Sequence, residues 1–140
     1  MLPTLVRAQD DDAVERNEAT VQRYYDVALT MGGHSADLVA IISPDYESPN
    51  PEHAPGLDAF VARAEDAQRA IASIFTAYRW VIDSQIGVED IVATRSHLEA
   101  VTKDGKQGMV RGLEWTAFDN DGLIVETEAQ LDTDALLDIL

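Results

Sequence analysis

The chain has 140 residues, a length typical of one domain with a substantial core. Hydrophobic residues make up 46% of it and cysteine is absent, which excludes wholesale disorder, disulfides and cysteine-ligated metals. Acidic residues outnumber basic ones by 26 to 10, for a net charge of −16, so the surface repels phosphate backbones and nucleic-acid binding is not expected.

The N-terminal residues 1–12 end in three aspartates and predict a flexible arm ahead of a single domain over residues 13–140. The first residues lack a basic segment followed by an apolar one, so no signal peptide is expected. The apolar runs are too short to cross a bilayer. We therefore expect a cytoplasmic protein with no membrane contact.

Three helices are predicted in the first half of the chain. Apolar side chains recur at helical spacing from Val14 to Leu29, and Gly32 and Gly33 predict the end of this first helix. Ser35 can cap a short second helix that ends before Pro44. A proline-rich loop over residues 45–55 follows, and from residue 56 an apolar stripe predicts the third helix.

Four strands are predicted in the second half, over residues 78–87, 91–102, 108–119 and 123–132. The Asp-Gly pairs at residues 104–105 and 121–122 are typical of tight turns between antiparallel strands. Helices followed by a run of antiparallel strands predict an α+β domain, with the helices packed on one face of a curved sheet.

Several short motifs occur in a fixed order along this framework. They are an aromatic pair at residues 24–25, the segment YESPNP at 46–51 with Pro-Gly at 55–56, VATR at 92–95, and DGLIVETEAQLD at 121–132. In this order and spacing they resemble the SnoaL-like polyketide cyclase branch of the NTF2-like superfamily. The resemblance implies a cone, in which a curved, mostly antiparallel sheet wraps around three helices and encloses a pocket.

The resemblance also implies a range of functions. We expect a cyclase or isomerase that uses general acid–base catalysis, without a cofactor, on a hydrophobic oxygenated substrate similar to a polyketide. An epoxide hydrolase or an epoxide-opening ether cyclase is an alternative, and so is a binder of small molecules without catalytic activity. Fold alone does not choose among these, because function depends on the site.

The last strand suggests where catalytic carboxylates lie. Because strand side chains alternate between faces, Glu126, Glu128 and Asp132 share one face, which we expect to line the cavity. Asp132 matches the acid/base aspartate of the polyketide cyclases. Its alternative role is to cap the last turn of the chain. Glu128 beside it would form a carboxylate pair with separated pKa values, unless it faces solvent.

Arg95 and His97 lie two residues apart on the second strand and also share a face. In limonene-type epoxide hydrolases an Arg-x-Asp at this place acts with the terminal aspartate, and here histidine replaces that aspartate. A histidine–aspartate pair can move a proton near neutral pH, so both residues are predicted catalytic groups. The alternatives are a hydrogen-bonded structural histidine and an arginine in an ion pair.

Tyr24, Asn50 and Trp115 are predicted to bind substrate. Only one of Tyr24 and Tyr25 is expected to face the cone, because neighbouring helical residues point about 100° apart. Asn50 would act from the proline-rich loop, although it suits a plain turn equally well. The three histidines are too scattered to predict a metal site.

A homodimer is predicted through the convex face of the sheet. Its expected contacts are apolar residues placed opposite the predicted site, namely Leu98, Ala100, Leu113, Trp115, Val125 and Ala129.

Overall fold

The computed structural model describes residues 11–140. The predicted flexible arm lies outside the described residues except for Asp11 and Asp12, which instead form the first turn of helix α1 (Asp11–Tyr24). Two carboxylates there are favourable, because the N-terminal end of a helix carries a partial positive charge.

Helix α1 continues directly into a π turn (Tyr25–Leu29), and a 3₁₀ helix (Ser35–Ala40) follows. Ser35 does not cap this short helix as predicted, because its hydroxyl donates instead to Gln68 Oε1 at 2.8 Å. Gln68 lies on helix α2 (Leu57–Ile74) and its amide donates to the carbonyl oxygens of Val27 and Ala28. One side chain thus joins the three helical segments.

The second half of the chain is one antiparallel sheet in the order β1-β2-β3-β4. The strands are β1 (Phe75–Val88), β2 (Ile91–Thr102), β3 (Gln107–Phe118) and β4 (Ile124–Leu131). A short helix, α3 (Thr133–Ile139), ends the chain. The fold is therefore α+β, with helices followed by a curved antiparallel sheet, as the sequence predicts.

The two predicted turns are confirmed. The amide of Gly105 donates to the carbonyl of Thr102 at 3.0 Å, and that of Gly122 to the carbonyl of Asp119 at 3.1 Å. Both glycines have positive φ, at 86° and 78°, in a region where a side chain would be strained. These turns set the pairing of β2 with β3 and of β3 with β4.

The helices cover one face of the sheet, which we call the inner face. On β2 and β3 its buried side chains alternate with half-buried or exposed ones on the outer face. The inner-face residues of these strands include Val92, Thr94, Ser96, Leu98, Ala100, Val110, Glu114, Thr116 and Phe118. Most are apolar or hydroxyl-bearing, and Glu114 is the one carboxylate among them.

Candidate active site inside the cone

The predicted catalytic face of the sheet is the outer face. Arg95 and His97 alternate with the buried Thr94, Ser96 and Leu98, so their side chains point away from the helices. Glu128 is paired with Trp115, which is 48% exposed, and lies on that same face. The prediction that this face lines the cavity is therefore wrong. Alternation identifies residues that share a face, but not which face the helices cover.

Asp132 is the N-cap of helix α3. Its carboxylate accepts a hydrogen bond from the amide of Ala135 at 3.1 Å, and the residue is exposed. This is the alternative role given for it above, since a carboxylate oxygen satisfies one of the free amides of the first turn. The set predicted for epoxide opening, Asp132 with Arg95 and Glu128, is not brought to the interior.

The predicted binding residues are divided among three places. Tyr24 is buried in the core. Asn50 lies in the exposed loop after Tyr46, where its Oδ1 accepts from the amide of Glu52 at 3.0 Å, as expected of a turn residue. Trp115 lies on the outer face, so it cannot contact a ligand held between the helices and the sheet.

Both aromatic residues of the pair at residues 24–25 are buried, and they face different elements. Tyr24 packs on Phe60 of α2 with ring centres 6.1 Å apart, whereas Tyr25 packs on Trp80 of β1 at 6.4 Å. The helix lies between α2 and the sheet, and each direction is therefore covered. The hydroxyl of Tyr25 also lies 3.3 Å from Ser96 Oγ on the inner face.

Glu114 is the residue that sequence analysis missed. It lies on β3 opposite Thr94 of β2 and Ala129 of β4, and it is only 8% exposed. The one hydrogen bond of its carboxylate within residues 11–140 is a long one, accepted from Thr116 Oγ1 at 3.5 Å, and no cation pairs with it there. A buried carboxylate without a cation is costly, because burial removes the water that stabilises its charge.

The electrostatics of this interior follow from burial. Loss of solvation raises the pKa of Glu114 to about 7, and the bond from Thr116 only partly opposes this. Burial and the nearby Glu114 charge raise the pKa of Tyr24 well above its ordinary value, and that of Tyr25 is raised for the same reasons. Glu114 can therefore gain or lose a proton near neutral pH, while the two phenols keep theirs and remain hydrogen-bond donors.

Unsatisfied polar atoms occur in the same interior. Within the described part of the chain, Asn17 Oδ1, Trp80 Nε1 and Thr94 Oγ1 are buried and have no hydrogen-bond partner. Buried polar groups are normally paired, so unpaired ones are frequently found where a ligand or water binds. Thr94 faces the same side of the sheet as its strand neighbour Glu114.

A family model described as the SnoaL-like domain matches residues 21–127 of this chain. The chain belongs to the SnoaL-like family.

Solved structures agree with this assignment at the level of the fold. TsrD from Streptomyces laurentii is 18% identical, with 93% of this chain and 96% of that chain covered and a TM-score of 0.69. A protein named "Putative SnoaL-like polyketide cyclase" from Jannaschia sp. CCS1 is 16% identical, with 91% and 92% covered and a TM-score of 0.71. Wild-type IdmH from Streptomyces antibioticus is 18% identical, with 87% and 96% covered and a TM-score of 0.69. No curated protein matches the chain in sequence.

Two clefts in this SnoaL-like domain lie beside the interior, on either side of Phe60. The first, of about 450 Å³, is lined by Tyr46, the proline-rich loop and residues 127–129 of β4. The second, of about 430 Å³, lies between the π turn and α2 and is lined by Tyr24. The hydroxyl of Tyr46 lies 2.9 Å from Thr127 Oγ1. Each cleft thus includes a tyrosine of the core.

The described residues hold neither of two features common in other classes of protein. No three His, Asp or Glu side chains within residues 11–140 are grouped so that they could hold a metal ion. No helix in that range is long and apolar enough to span a membrane.

Proposed function

We propose that this SnoaL-like protein is an enzyme that moves a proton on a hydrophobic, oxygenated small molecule, in a cyclisation or an isomerisation. The observation that carries the proposal is Glu114, a buried carboxylate whose pKa is about 7 and which has no cation partner within residues 11–140. Strongly shifted carboxyl groups in enclosed sites are typical of general acids and bases, because their two protonation states are both accessible at the working pH.

The proposed roles follow from the chemistry of the interior side chains. Glu114 as a carboxylate takes a proton from an activated carbon of the substrate, and returns a proton to a carbon or oxygen of the product. Tyr24 remains protonated and donates a hydrogen bond to the oxygen on which negative charge develops. The hydroxyl of Thr94, which has no hydrogen-bond partner among the described residues, is a further partner for a substrate oxygen.

The experiment measures proton abstraction directly, so it needs no knowledge of the natural product. Hydrophobic ketones and β-keto esters are incubated in deuterated buffer, and exchange of their activated C–H protons is followed by NMR. We expect exchange faster than in buffer alone with the wild type. Glu114→Gln should lower the rate by roughly 10²- to 10⁴-fold, the usual contribution of a general base.

A matched control is Glu126→Gln, since Glu126 is a glutamate of the outer face opposite Ala117. This variant should exchange at the wild-type rate. Asp132→Asn should also do so, because asparagine caps a helix nearly as well as aspartate. Wild-type exchange by Glu114→Gln, or no exchange above buffer by the wild type, would contradict the proposal. A large loss in Asp132→Asn alone would restore Asp132 as the acid/base residue.

We also propose that a second copy of the chain covers the outer face of the sheet. Exposed apolar side chains, including Leu113 at 62% and Trp115 at 48%, line a depression of about 600 Å³ there, which Thr94 and Glu114 also border. Arg95 and Glu126 line it too and have no ion-pair partner within residues 11–140, so they can pair across a twofold axis. Leu98 and Ala100, predicted for this contact, are buried on the inner face, and Ala129 lies on the same side opposite Glu114, so these three residues cannot contribute.

Sedimentation velocity tests the association. We expect a dimer at micromolar concentration and moderate salt, and a monomer for Trp115→Glu. Low salt should weaken the dimer, because two chains of −16 charge repel each other when screening is poor. A wild-type monomer under all these conditions would contradict this part of the proposal.

A further inference from the structure

Arg63 of helix α2 occupies the border between the two clefts. Together with Phe60 and His53 it lines both of them. It is half-buried, and its helix position places it on the side of α2 that carries the buried Phe60, three residues earlier. A ligand entering either cleft therefore meets this arginine.

The guanidinium of Arg63 is held in place but most of its donors are free. Nη1 donates to the carbonyl oxygen of Ala54 at 2.8 Å, and the guanidinium carbon lies 5.8 Å from the centre of the Phe60 ring. Arginine has five N–H donors, and this bond is the one that it makes within residues 11–140. It has no carboxylate partner in that range. An arginine fixed by an aromatic ring and one carbonyl is preorganised to bind a further acceptor.

The charged groups around it leave Arg63 without a competing partner. Asp66 lines the second cleft but forms its ion pair with Arg69, one turn further along the helix. Glu128 lines the first cleft from the edge strand and is exposed. His53 is held by Ser48 Oγ, 3.0 Å from its Nδ1. On a chain of net charge −16, an arginine at the cleft border that has no ion pair among the described residues is a local exception to a surface that repels anions.

We propose that Arg63 binds a carboxylate of the substrate, so that the protein acts on a hydrophobic organic acid. The planar guanidinium binds a carboxylate through two parallel hydrogen bonds, which a single hydroxyl oxygen cannot match. The apolar body of the acid then lies along Phe60, with Tyr24 and Tyr46 beyond it. This inference rests on the proposed function, since it assigns one end of the substrate on which Glu114 acts.

The test compares naphthoate with naphthamide, which have the same shape but differ in charge. Binding of each is measured by calorimetry at one ionic strength. We expect the wild type to bind naphthoate at least about tenfold more tightly, because hydrogen bonds to charged groups are the stronger ones. Arg63→Met keeps the apolar stem on Phe60 and should abolish this preference. Arg69→Met, on the same helix and paired with Asp66, should keep it.

Equal binding of acid and amide by the wild type, including no binding of either, would overturn the inference. So would an acid preference that persists in Arg63→Met. Arg63→Lys retains the positive charge but not the planar guanidinium, so it should prefer naphthoate to naphthamide by a smaller but measurable factor. This variant separates recognition of the charge from loss of folding. Thermal unfolding of each variant accompanies the titrations.

The same titrations in Glu114→Gln separate this inference from the proposed function. Binding needs no turnover, so the acid preference should survive in that variant. If Glu114→Gln exchanges protons at the wild-type rate while Arg63→Met loses the preference, the proposed catalytic role fails and the carboxylate site stands. If Glu114→Gln is inactive and Arg63→Met binds acid as tightly as the wild type, the reverse holds.

Discussion

The two faces of the sheet differ in whether their charged side chains have partners of opposite charge. On the outer face, His97 Nδ1 lies 2.9 Å from the carboxylate of Asp83, its Nε2 lies 3.1 Å from Glu99, and Glu99 accepts from Arg79 at 2.7 Å. On the inner face, Glu114 has one bond of 3.5 Å and no cation within residues 11–140. Partnered charges near water contribute to structure, whereas a buried charge without a partner opposes folding and so indicates a function.

The largest predicted difference between the two faces is the loss of folding stability that the charge of Glu114 causes. Its pKa rises from 4.5 to about 7 on folding, so between these pH values the folded state binds more protons than the unfolded state. Stability therefore falls as pH rises through this window, by up to about 3 kcal/mol. Glu114→Gln removes the ionisable group, and should unfold at higher urea concentration than the wild type near pH 8 but not near pH 4.

Urea unfolding at both pH values measures this difference. Glu65→Gln, at an exposed position of helix α2, should follow the wild type at each. A Glu114→Gln variant less stable than the wild type near pH 8 would mean that the carboxylate has a stabilising partner after all. Charged groups on both faces would then have stabilising partners.

A smaller effect is expected from packing on the inner face. A Cβ at Gly108 would lie 2.2 Å from Cγ1 and 3.3 Å from Cβ of Ile139, the buried residue of helix α3. Gly108→Ala should displace α3 and cost about 1–3 kcal/mol, the usual penalty for overpacking. Met109→Ala, one residue along on the exposed outer face, should cost far less. Equal changes in melting temperature for the two variants would show that α3 does not depend on this contact.

Much of the fold was predictable because local signals decide it. The predicted strand over residues 91–102 coincides with β2, and the predicted Asp-Gly turns are confirmed, since strand alternation and turn conformation are properties of short segments. Which strand face is buried depends on where the helices pack, and a pattern of period two is the same for both faces. The alternation at Arg95, His97 and Glu128 therefore does not predict that these residues lie on the outer face.

The sequence nevertheless contains a signal for the unusual position of Glu114. Glu114 shares its face of β3 with Val110 and Phe118, both buried, so it interrupts an apolar face with a carboxylate. The apolar content of β3 does not show which of its faces is buried, because the outer face also carries Met109, Leu113 and Trp115. Only the helices packed on the inner face distinguish them. Tyr24 and Tyr25 are both buried, because Phe60 of α2 covers the first and Trp80 of β1 covers the second.

The smallest effect is expected at His97, where the outer face has a titratable group with partners. Hydrogen bonds with Asp83 and then with Glu99 raise the pKa of His97 above 6.5. A raised pKa means that the folded state holds the proton more tightly, so the stabilisation is fully present below pH 6.5 and is lost as pH rises through the folded value. His97→Gln should therefore be less stable than the wild type near pH 6, by less than about 1 kcal/mol because Glu99 is well exposed to water. Near pH 9 the two proteins should unfold at the same urea concentration.

Proton exchange by His97→Gln should equal that of the wild type, since the ring of His97 lies on the face opposite Glu114. A loss of exchange without a loss of stability would return His97 to the catalytic site and place the chemistry on the outer face.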